Sequence, residues 1–334
     1  MSDELHMTRE IPARVGCRPI RDADIGPVIE LLREGFPTRT AANWVRALDR
    51  LSRRDVPEPY PRFGYLLEAD GRPVGVVLLI FSASGNVSKS PNASAPASAN
   101  ASASVNGSAP VNASAQASAS AHAQAMQIRC NISSWYVRDF YRGYASLLSK
   151  AAVRHKNVTY INISPALQTW PTIEAQGFTR YTFGQIVAVP ALGPRVGNSC
   201  VREFDAAEDY GPTLSVEERD MLATHLGYGC LAYVVMENGK ANPFIFLPRR
   251  INRRIVPALQ LVYCRDVRDF VRLSGPIGRA LARRGRLLVC LDAPGPLPGL
   301  VGRYFPDRGY PRFFKGSDRP RIGDLTYSEL VLFP

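Results

Sequence analysis

The residues with the clearest chemical potential lie where a strand gives way to a helix near the middle of the chain. Trp135-Tyr136-Val137 ends a predicted strand, and Arg142-Gly143-Tyr144-Ala145 opens the amphipathic segment that follows. A helix N-terminus presents unpaired N–H groups and a partial positive charge, glycine lets a ligand approach the backbone, and arginine adds a charge-assisted contact. The pattern predicts an anion site, with a plain helix start and a surface arginine as the alternative.

Two carboxylates are candidates for general-base chemistry. Glu30 and Glu34 lie on consecutive turns of one face of a helix predicted over 23–36. A carboxylate there needs a raised pKa or a water relay to act as a base, and two solvated helix charges are the alternative. His155 and His225 lie near predicted helix ends, where an imidazole is most simply a partner of the helix dipole. The sequence has no Ser-His-Asp order, no GxxxxGK loop and no metal-ligand spacing, so catalytic residues stay unassigned and no metal is expected.

Composition indicates two domains with room for two cores. The chain has 334 residues, of which 46% are hydrophobic. Its longest apolar run, Val74–Phe81, is far shorter than the ~20 residues that span a bilayer. The N-terminus has no basic stretch followed by an apolar one, which predicts a cytoplasmic protein. The six cysteines form no CxxC pair, and in that compartment we expect them to be reduced and mostly buried.

The net charge of +12 is spread evenly, since basic minus acidic residues give +7 for 1–198 and +5 for 199–334. An even spread suits anionic ligands in general and does not favour a dedicated nucleic-acid arm. The densest basic clusters are Arg249-Arg250 with Arg253-Arg254, and Arg283-Arg284 with Arg286. Each is interpreted as a solvated face or a basic helix end.

Three segments of the first half recur in the same order in the second half. Their separations, 168, 127 and 132 positions, indicate about 41 extra residues in the first half between the first and second matches. That interval contains 83–125, made almost wholly of Ser, Ala, Asn, Pro and Gly, which is predicted to be a disordered low-complexity insertion. The matched segments are Tyr65–Arg72 with Tyr233–Lys240, Tyr136–Asp139 with Tyr263–Asp266, and Gly177–Tyr181 with Gly309–Phe313.

Periodicity predicts the same order of elements in both halves: a helix, a hairpin, a strand, a helix, a strand, a short helix and a closing hairpin. A strand–helix–strand unit within a mostly antiparallel sheet is mixed α/β. The predicted domains are 17–192 and 199–334, after a leader over 1–16. The first half has helices over 23–36, 41–51, 142–155 and 170–176 and strands over 64–68, 74–81, 126–137, 158–163, 180–183 and 185–189. The second has helices over 216–226, 270–282 and near 297–304 and strands over 231–236, 243–247, 258–263, 286–291, 312–315 and 325–332.

At this point the residues resemble the acyl-CoA N-acyltransferase (GNAT-like) fold, present twice in tandem. The strand end at Trp135–Val137 and the turn beginning at Arg142 resemble the family's strand, Arg/Gln-x-x-Gly-x-Gly/Ala turn and helix. Trp170–Phe178 resembles its short helix that ends in Gly-Phe before a closing strand. The resemblance covers nearly the whole chain apart from the leader and the insertion.

The resemblance implies an acyltransferase that takes an acyl group from acyl-CoA to an amine or hydroxyl acceptor of unidentified structure. It implies that the first domain binds the CoA thioester, with the strand before the turn splayed from its neighbour and its free backbone groups pairing with the pantetheine arm. The family pattern is incomplete, because Leu147 stands where the turn has a small residue and Ile173 where a tyrosine often acts as the acid. In the second half the turn at Asp266–Gly275 contains two carboxylates, so productive CoA binding is not expected there. The implied binding residues are Ser134, Trp135, Tyr136, Val137, Arg142, Gly143, Tyr144, Ala145 and Asn162.

Two other interpretations of the function remain open. The peptidoglycan-bridge aminoacyltransferases are also tandem GNAT-like proteins and use aminoacyl-tRNA; the net charge and the cluster at 249–254 would suit an RNA backbone. The chain has no heptad run of the kind that this second resemblance would favour. A non-catalytic binding protein on a decayed enzyme fold would explain Leu147, Ile173 and the acidic turn.

Overall fold

The described residues of the first half form four α-helices and seven strands. The structure is a computed structural model that describes residues 12–84, 127–251, 255–306 and 311–333. The helices are α1 (Ile25–Gly35), α2 (Ala41–Ser52), α3 (Ala145–Ala152) and α4 (Trp170–Ala175). The strands are β1 (Val15–Pro19), β2 (Gly64–Ala69), β3 (Arg72–Ser84), β4 (Gln127–Val137), β5 (Val158–Asn162), β6 (Thr179–Thr182) and β7 (Gly184–Ala188).

The part of the second half that the structure describes forms three α-helices and seven strands. Its helices are α5 (Val216–Gly227), α6 (Val267–Arg283) and α7 (Glu329–Leu332). Its strands are β8 (Ser199–Glu203), β9 (Leu231–Glu237), β10 (Lys240–Ile251), β11 (Val256–Cys264), β12 (Val289–Ala293), β13 (Gly302–Pro306) and β14 (Arg312–Lys315). None of the described helices is long and apolar enough to cross a membrane.

Both halves contain the hairpin that their repeated sequence predicts. At the turn between β2 and β3, Asp70 and Gly71 have φ angles of 48° and 77°. At the turn between β9 and β10, Asn238 and Gly239 have φ angles of 48° and 76°. Two consecutive residues with positive φ match the twist of the flanking strands, and Asp-Gly and Asn-Gly adopt that turn readily.

The strands form two seven-stranded mixed sheets. The first has the order β1-β2-β3-β4-β5-β14-β6 and the second the order β13-β7-β12-β11-β10-β9-β8. In each sheet a single parallel pair, β4 with β5 or β11 with β12, lies within an otherwise antiparallel arrangement. The predicted mixed α/β class, with one strand–helix–strand unit in each half, is therefore confirmed.

Each sheet contains one strand from the other half of the chain. β14 lies between β5 and β6 of the first sheet, and β7 lies between β12 and β13 of the second. The sequence pattern predicts two closing hairpins, each formed by strands of its own half. This prediction is wrong, because β7 and β14 each pair with strands of the other half. The chain crosses from one sheet to the other at Phe183, between β6 and β7. The predicted boundary near 192–199 therefore does not separate the two sheets.

Several elements differ from the expected ones. Val15–Pro19 and Ser199–Glu203 are edge strands that the sequence analysis missed, and the first of them begins within the predicted leader. The apolar run at 325–332 was expected to be a strand but ends in the helix α7, and the residues expected as a short helix near 297–304 include the start of β13. Ala83 and Ser84 belong to β3 rather than to the insertion; the rest of the insertion lies outside the described residues, as do Arg253 and Arg254.

Apolar side chains fill both faces of each sheet. One face of the first sheet packs on α3 and α4. The other packs on α1 and α2, together with Leu332 and Phe333 at the end of the chain. The C-terminal segment, which we define as Arg321–Phe333, thus passes from the second sheet to the core of the first. Five of the six cysteines are buried or half-buried as expected, and Cys200 is exposed.

Candidate functional site

The strands β4 and β5 separate partway along their length. They pair in parallel from Ile128 with Val158 to Asn131 with Ile161. Beyond Asn131, β4 continues to Val137 bonded only to β3, and no described strand pairs with its other edge. We call this opening the first fork. The carbonyl of Ile132 accepts a hydrogen bond from the Asn131 side chain at 3.1 Å. From Ser133 to Val137 no described segment other than β3 bonds the backbone of β4, and buried backbone groups require a partner.

A β-bulge lies at the first fork. The register between β3 and β4 shifts so that Ser134 and Trp135 together lie opposite one residue, Val77. Ser134 has a φ of 46°, in the left-handed region that non-glycine residues seldom adopt. A bulge redirects the side chains that follow it. Trp135 consequently packs against the α3 side of the sheet, whereas Tyr136 packs against α1 on the opposite side.

A shallow cleft lies beside the first fork, between the sheet, α3 and α4, with about 350 Å³ of space when the adjoining open solvent is included. Two of the predicted binding residues, Trp135 and Asn162, line it. Ile173, the residue found where the family has an acid, also faces it. Its lining is mostly apolar, which suits a flexible organic chain, with a few polar groups that could fix orientation. The remaining lining residues, which the sequence analysis did not single out, are Val77, Ile132, Leu148, Ser149, Ala152, Val153, Gln176 and Phe178.

The predicted anion turn has a different local structure from the one expected. Helix α3 begins at Ala145 rather than Arg142, and a 3₁₀ helix over Asp139–Tyr144 precedes it. Within this turn the N–H of Tyr141 donates to the carbonyl of Arg138 (2.8 Å), and the N–H of Ala145 donates to that of Arg142. These two N–H groups are therefore already used within the protein.

Arg142, Gly143, Tyr144 and Ala145 do not line the cleft; they lie at the N-terminal end of the helix that forms one of its walls. The Arg142 side chain is 71% exposed and bonds Asp139 at 2.7 Å. An exposed pair of this kind contributes little to stability and can open for a ligand. A Cβ added at Gly143 would meet no protein atom within 4 Å, so the space above this turn is open.

The two carboxylates proposed as bases have different surroundings. Glu34 is bonded by Arg138 through both carboxylate oxygens, at 2.7 and 2.9 Å. The hydrogen bond from Arg138 holds the pKa of Glu34 below its ordinary value, and Tyr136 adds a second bond. A lowered pKa makes Glu34 a weaker base. Glu30 is exposed one turn earlier.

The second half contains the same trio in the same order. Glu218 of α5 accepts hydrogen bonds from the Tyr263 hydroxyl at 3.0 Å and from Arg265 Nε at 2.6 Å. Tyr263 and Arg265 are the repeat partners of Tyr136 and Arg138. In both halves the glutamate belongs to a helix, and the tyrosine and arginine lie at the end of the central strand. The hydrogen bonds of the trio therefore hold that helix to that strand, which favours a structural role for Glu34.

The corresponding fork of the second sheet is filled. The strands β11 and β12 pair only at Leu259 with Val289 and Gln260 with Cys290. Beyond them, Gly323–Leu325 lies along the free edge of β11, and we call this tripeptide the plug. The N–H of Cys264 donates to the carbonyl of Gly323 (2.9 Å), and the N–H of Leu325 donates to that of Val262 (2.7 Å).

Beyond the plug, the C-terminal segment is held by buried polar side chains. Arg129 of β4 pairs with Asp324 at 3.0 Å and donates to the Thr326 hydroxyl at 2.7 Å. His225 lies in the last turn of α5, at the helix end where it was expected, and it is buried there. Its Nε2 accepts the N–H of Tyr327 at 3.2 Å. His155 bonds the hydroxyl of Tyr65 at 3.2 Å.

The segment then reaches the first fork and places a buried carboxylate there. The N–H of Glu329 donates to Asn131 Oδ1 at 2.8 Å. The two oxygens of its carboxylate accept hydrogen bonds from the hydroxyls of Ser133 and Ser164. Glu329 is 196 residues from Ser133 in sequence, so no local pattern indicated this contact. The available signal was the series of polar residues in the central strand β4, namely Arg129, Asn131, Ser133 and Ser134.

Solved structures with a similar fold are GCN5-related N-acetyltransferases. The protein from Kribbella flavida superimposes with a TM-score of 0.53 at 12% identity, over 90% of this chain and 70% of that one. The protein from Anabaena variabilis gives 0.52 at 10% identity, over 90% and 72%. No protein-family model matches the sequence, and no curated protein matches it. At these identities the likeness concerns the fold, and it confirms the predicted GNAT-like architecture.

Proposed function

We propose that the chain is an acyltransferase that binds an acyl-CoA thioester at the first fork and transfers the acyl group to a nucleophilic acceptor. The observation that carries this proposal is the open edge of β4 beside an apolar cleft. The equivalent edge in the second half is bonded by the plug. The amide groups of an extended thioester arm would form hydrogen bonds with the backbone of β4 in the first fork, as the backbone of Gly323–Leu325 does with β11 in the second.

The predicted residues take separate parts in this proposal. Backbone groups of Ser134, Tyr136 and Val137 would pair with the amides of the pantetheine arm, and Trp135 and Asn162 would line its path. One fixed N–H donor would stabilise the oxyanion that forms when the acceptor attacks the thioester carbonyl. Gly143, Tyr144 and Ala145 would approach the pyrophosphate, with Arg142 released from Asp139 to pair with it. Glu30 and Glu34 remain weak candidates for a base.

Calorimetric titration of the full chain with acetyl-CoA and longer acyl-CoA thioesters tests the proposal. Ser149→Phe should abolish binding, because it places a phenyl ring in the cleft. Ala175→Phe is the matched control, since it adds the same ring at an exposed position of α4 outside the cleft. The proposal fails if no thioester binds below millimolar concentration, or if both variants bind alike.

A second variant tests the pyrophosphate turn alone. Arg142→Ala removes a charged contact to the ligand and should weaken acetyl-CoA binding about tenfold, as expected for a lost charge-assisted hydrogen bond of ~1.5 kcal/mol. Unfolding by urea should be nearly unchanged, because the Arg142–Asp139 pair is exposed. Unchanged affinity would place the pyrophosphate elsewhere and leave the cleft assignment standing.

A further inference from the structure

The first fork contains a chain of hydroxyl groups that ends at a buried carboxylate. The Ser133 hydroxyl bonds one oxygen of Glu329, and the Ser134 hydroxyl lies 3.1 Å from that of Ser133. Glu329 is 7% exposed and Ser133 4%, whereas Ser134 is half-buried on the bulge next to Trp135, which lines the cleft. The chain of hydroxyl groups therefore leads from the half-buried residue that precedes Trp135 into the protein.

The direction of these hydrogen bonds is fixed by the carboxylate. An ionised carboxylate only accepts, so Ser133 donates its proton to Glu329. Ser133 then accepts from Ser134, which leaves the oxygen lone pairs of Ser134 for a donor outside the chain. The second oxygen of Glu329 is occupied by Ser164, and its backbone N–H is bonded to Asn131. The carboxylate is thus held in one orientation by three partners.

We propose that Ser134, Ser133 and Glu329 form a proton relay that removes the proton of the acceptor during acyl transfer. This inference rests on the proposed function and adds to it the path of the proton. The acceptor N–H donates to Ser134 as its nitrogen attacks the thioester carbonyl carbon. The Ser134 proton moves to Ser133 and the Ser133 proton to Glu329. The C–S bond breaks, the thiolate leaves, and the proton returns from Glu329 to solvent or to the departing thiolate.

Glu329 is a new assignment, and it reaches the first fork only because the C-terminal segment crosses between the two sheets. The charged groups on the elements around it are Arg129 of β4, which is bonded to Asp324, and Arg50 of α2, which donates to the carbonyl of Val331. Both arginines are bonded to groups of the C-terminal segment other than the Glu329 carboxylate.

The test compares two serines on the same carboxylate. Ser133→Ala interrupts the relay, and Ser164→Ala removes the other hydroxyl without touching the path from Ser134. The assay follows release of the CoA thiol from acetyl-CoA, with ethanolamine, lysine and glucosamine as acceptor probes and with water alone as the basal nucleophile. Ser133→Ala should lower kcat about 100-fold with little change in KM for acetyl-CoA, as expected for a lost general base. Ser164→Ala should lower it only severalfold.

The pH dependence of Glu329→Gln distinguishes a relay from a structural role, because loss of a purely structural contact would not make the rate recover at high pH. The rate of this variant should fall at neutral pH and recover steadily as pH rises, because the acceptor then loses its proton in solution. Glu329→Asp should restore part of the rate, and Glu329→Gln with Ser133→Ala should be no slower than Glu329→Gln alone. Calorimetry with acetyl-CoA should give the wild-type affinity for each variant, which would show that the site is folded.

The outcomes separate the two proposals. If acetyl-CoA does not bind the wild-type protein, the proposed function fails and the relay with it. If acetyl-CoA binds but neither amines nor water release the thiol, or if Ser133→Ala and Ser164→Ala lose equal activity, the relay is overturned and the thioester site stands. A Glu329→Gln variant that loses acetyl-CoA binding would assign Glu329 a structural role, which also overturns the relay.

Discussion

The two forks are copies of one element, and they differ in what bonds to the free edge of the central strand. In the second sheet, Gly323–Leu325 takes up the backbone groups of β11. In the first sheet the same edge of β4 has no described strand beside it, and a cleft adjoins it. A sheet edge that is splayed in both copies is thus bonded by the chain itself in the second sheet and left without a described strand beside it in the first, which is where we propose that the thioester binds.

The largest expected effect comes from breaking the connection between the two forks. Arg129→Ala leaves Asp324, the middle residue of the plug, buried without its partner from β4, and a broken buried ion pair costs about 3–5 kcal/mol. Although burial acts to raise it, the pKa of Asp324 is held well below its ordinary value by Arg129 and Arg321. Urea unfolding measures the loss. Arg142→Ala removes an exposed ion pair and is the control, with an expected loss of less than about 1 kcal/mol in the free energy of unfolding. If the two variants lost equal amounts, the Arg129–Asp324 pair would not be what holds the C-terminal segment.

An intermediate effect concerns the pH dependence of the same segment. Burial lowers the pKa of His225 to about 4, against about 6.5 in an unfolded chain. Between these values the unfolded chain binds more protons, so the free energy of unfolding should fall as pH drops from 6.5 towards 4, by roughly 3 kcal/mol in total. His225→Asn should be less stable at pH 7 but show a flatter dependence across this range. Parallel curves for the two proteins would exclude His225 as the cause.

The smallest expected effect tests the plug itself with two matched glycines. Gly323 and Gly239 have φ angles of 79° and 76°, so alanine carries a similar backbone cost of about 1–2 kcal/mol at either position. A Cβ at Gly323 would also lie 2.6 Å from Cys264 Sγ, whereas one at Gly239 would meet nothing. Gly323→Ala should therefore cost about 1–3 kcal/mol more than Gly239→Ala in urea unfolding. Neither variant should alter acetyl-CoA binding, because the first fork is untouched.

The sequence predicts the elements well where local pattern decides them. The helices α1 and α2 follow from apolar spacing, and both hairpins follow from Asp-Gly and Asn-Gly. Periodicity cannot distinguish a strand from a helix in a short apolar run. Residues 329–332 form a helix, and Leu332 packs in the core of the first sheet. Local pattern cannot decide the exchange of β7 and β14 either, because the alternation within a strand indicates which side chains are buried and not which strand lies beside it. The sequence repeat itself aligns β14 with β6, since Gly177–Tyr181 matches Gly309–Phe313.

The candidate site was predictable only along β4 and β5. Trp135 and Asn162 could be placed beside the opening because they lie at the ends of two adjacent strands. The turn at Arg142 was predicted as a regular helix start, but its chain forms a 3₁₀ turn. Ser133 and Glu329 could not be paired in advance, since their contact depends on the course of a segment from the far end of the chain.

The exchange of β7 and β14 has a consequence for how the two copies can change over generations. After most gene duplications, one copy can accumulate substitutions while the other preserves the original function. Here a substitution in either closing strand alters the sheet of the opposite copy, because that is where the strand pairs. Selection that preserves the first sheet would therefore also constrain residues 312–315 of the second copy, although the fork of that copy is filled.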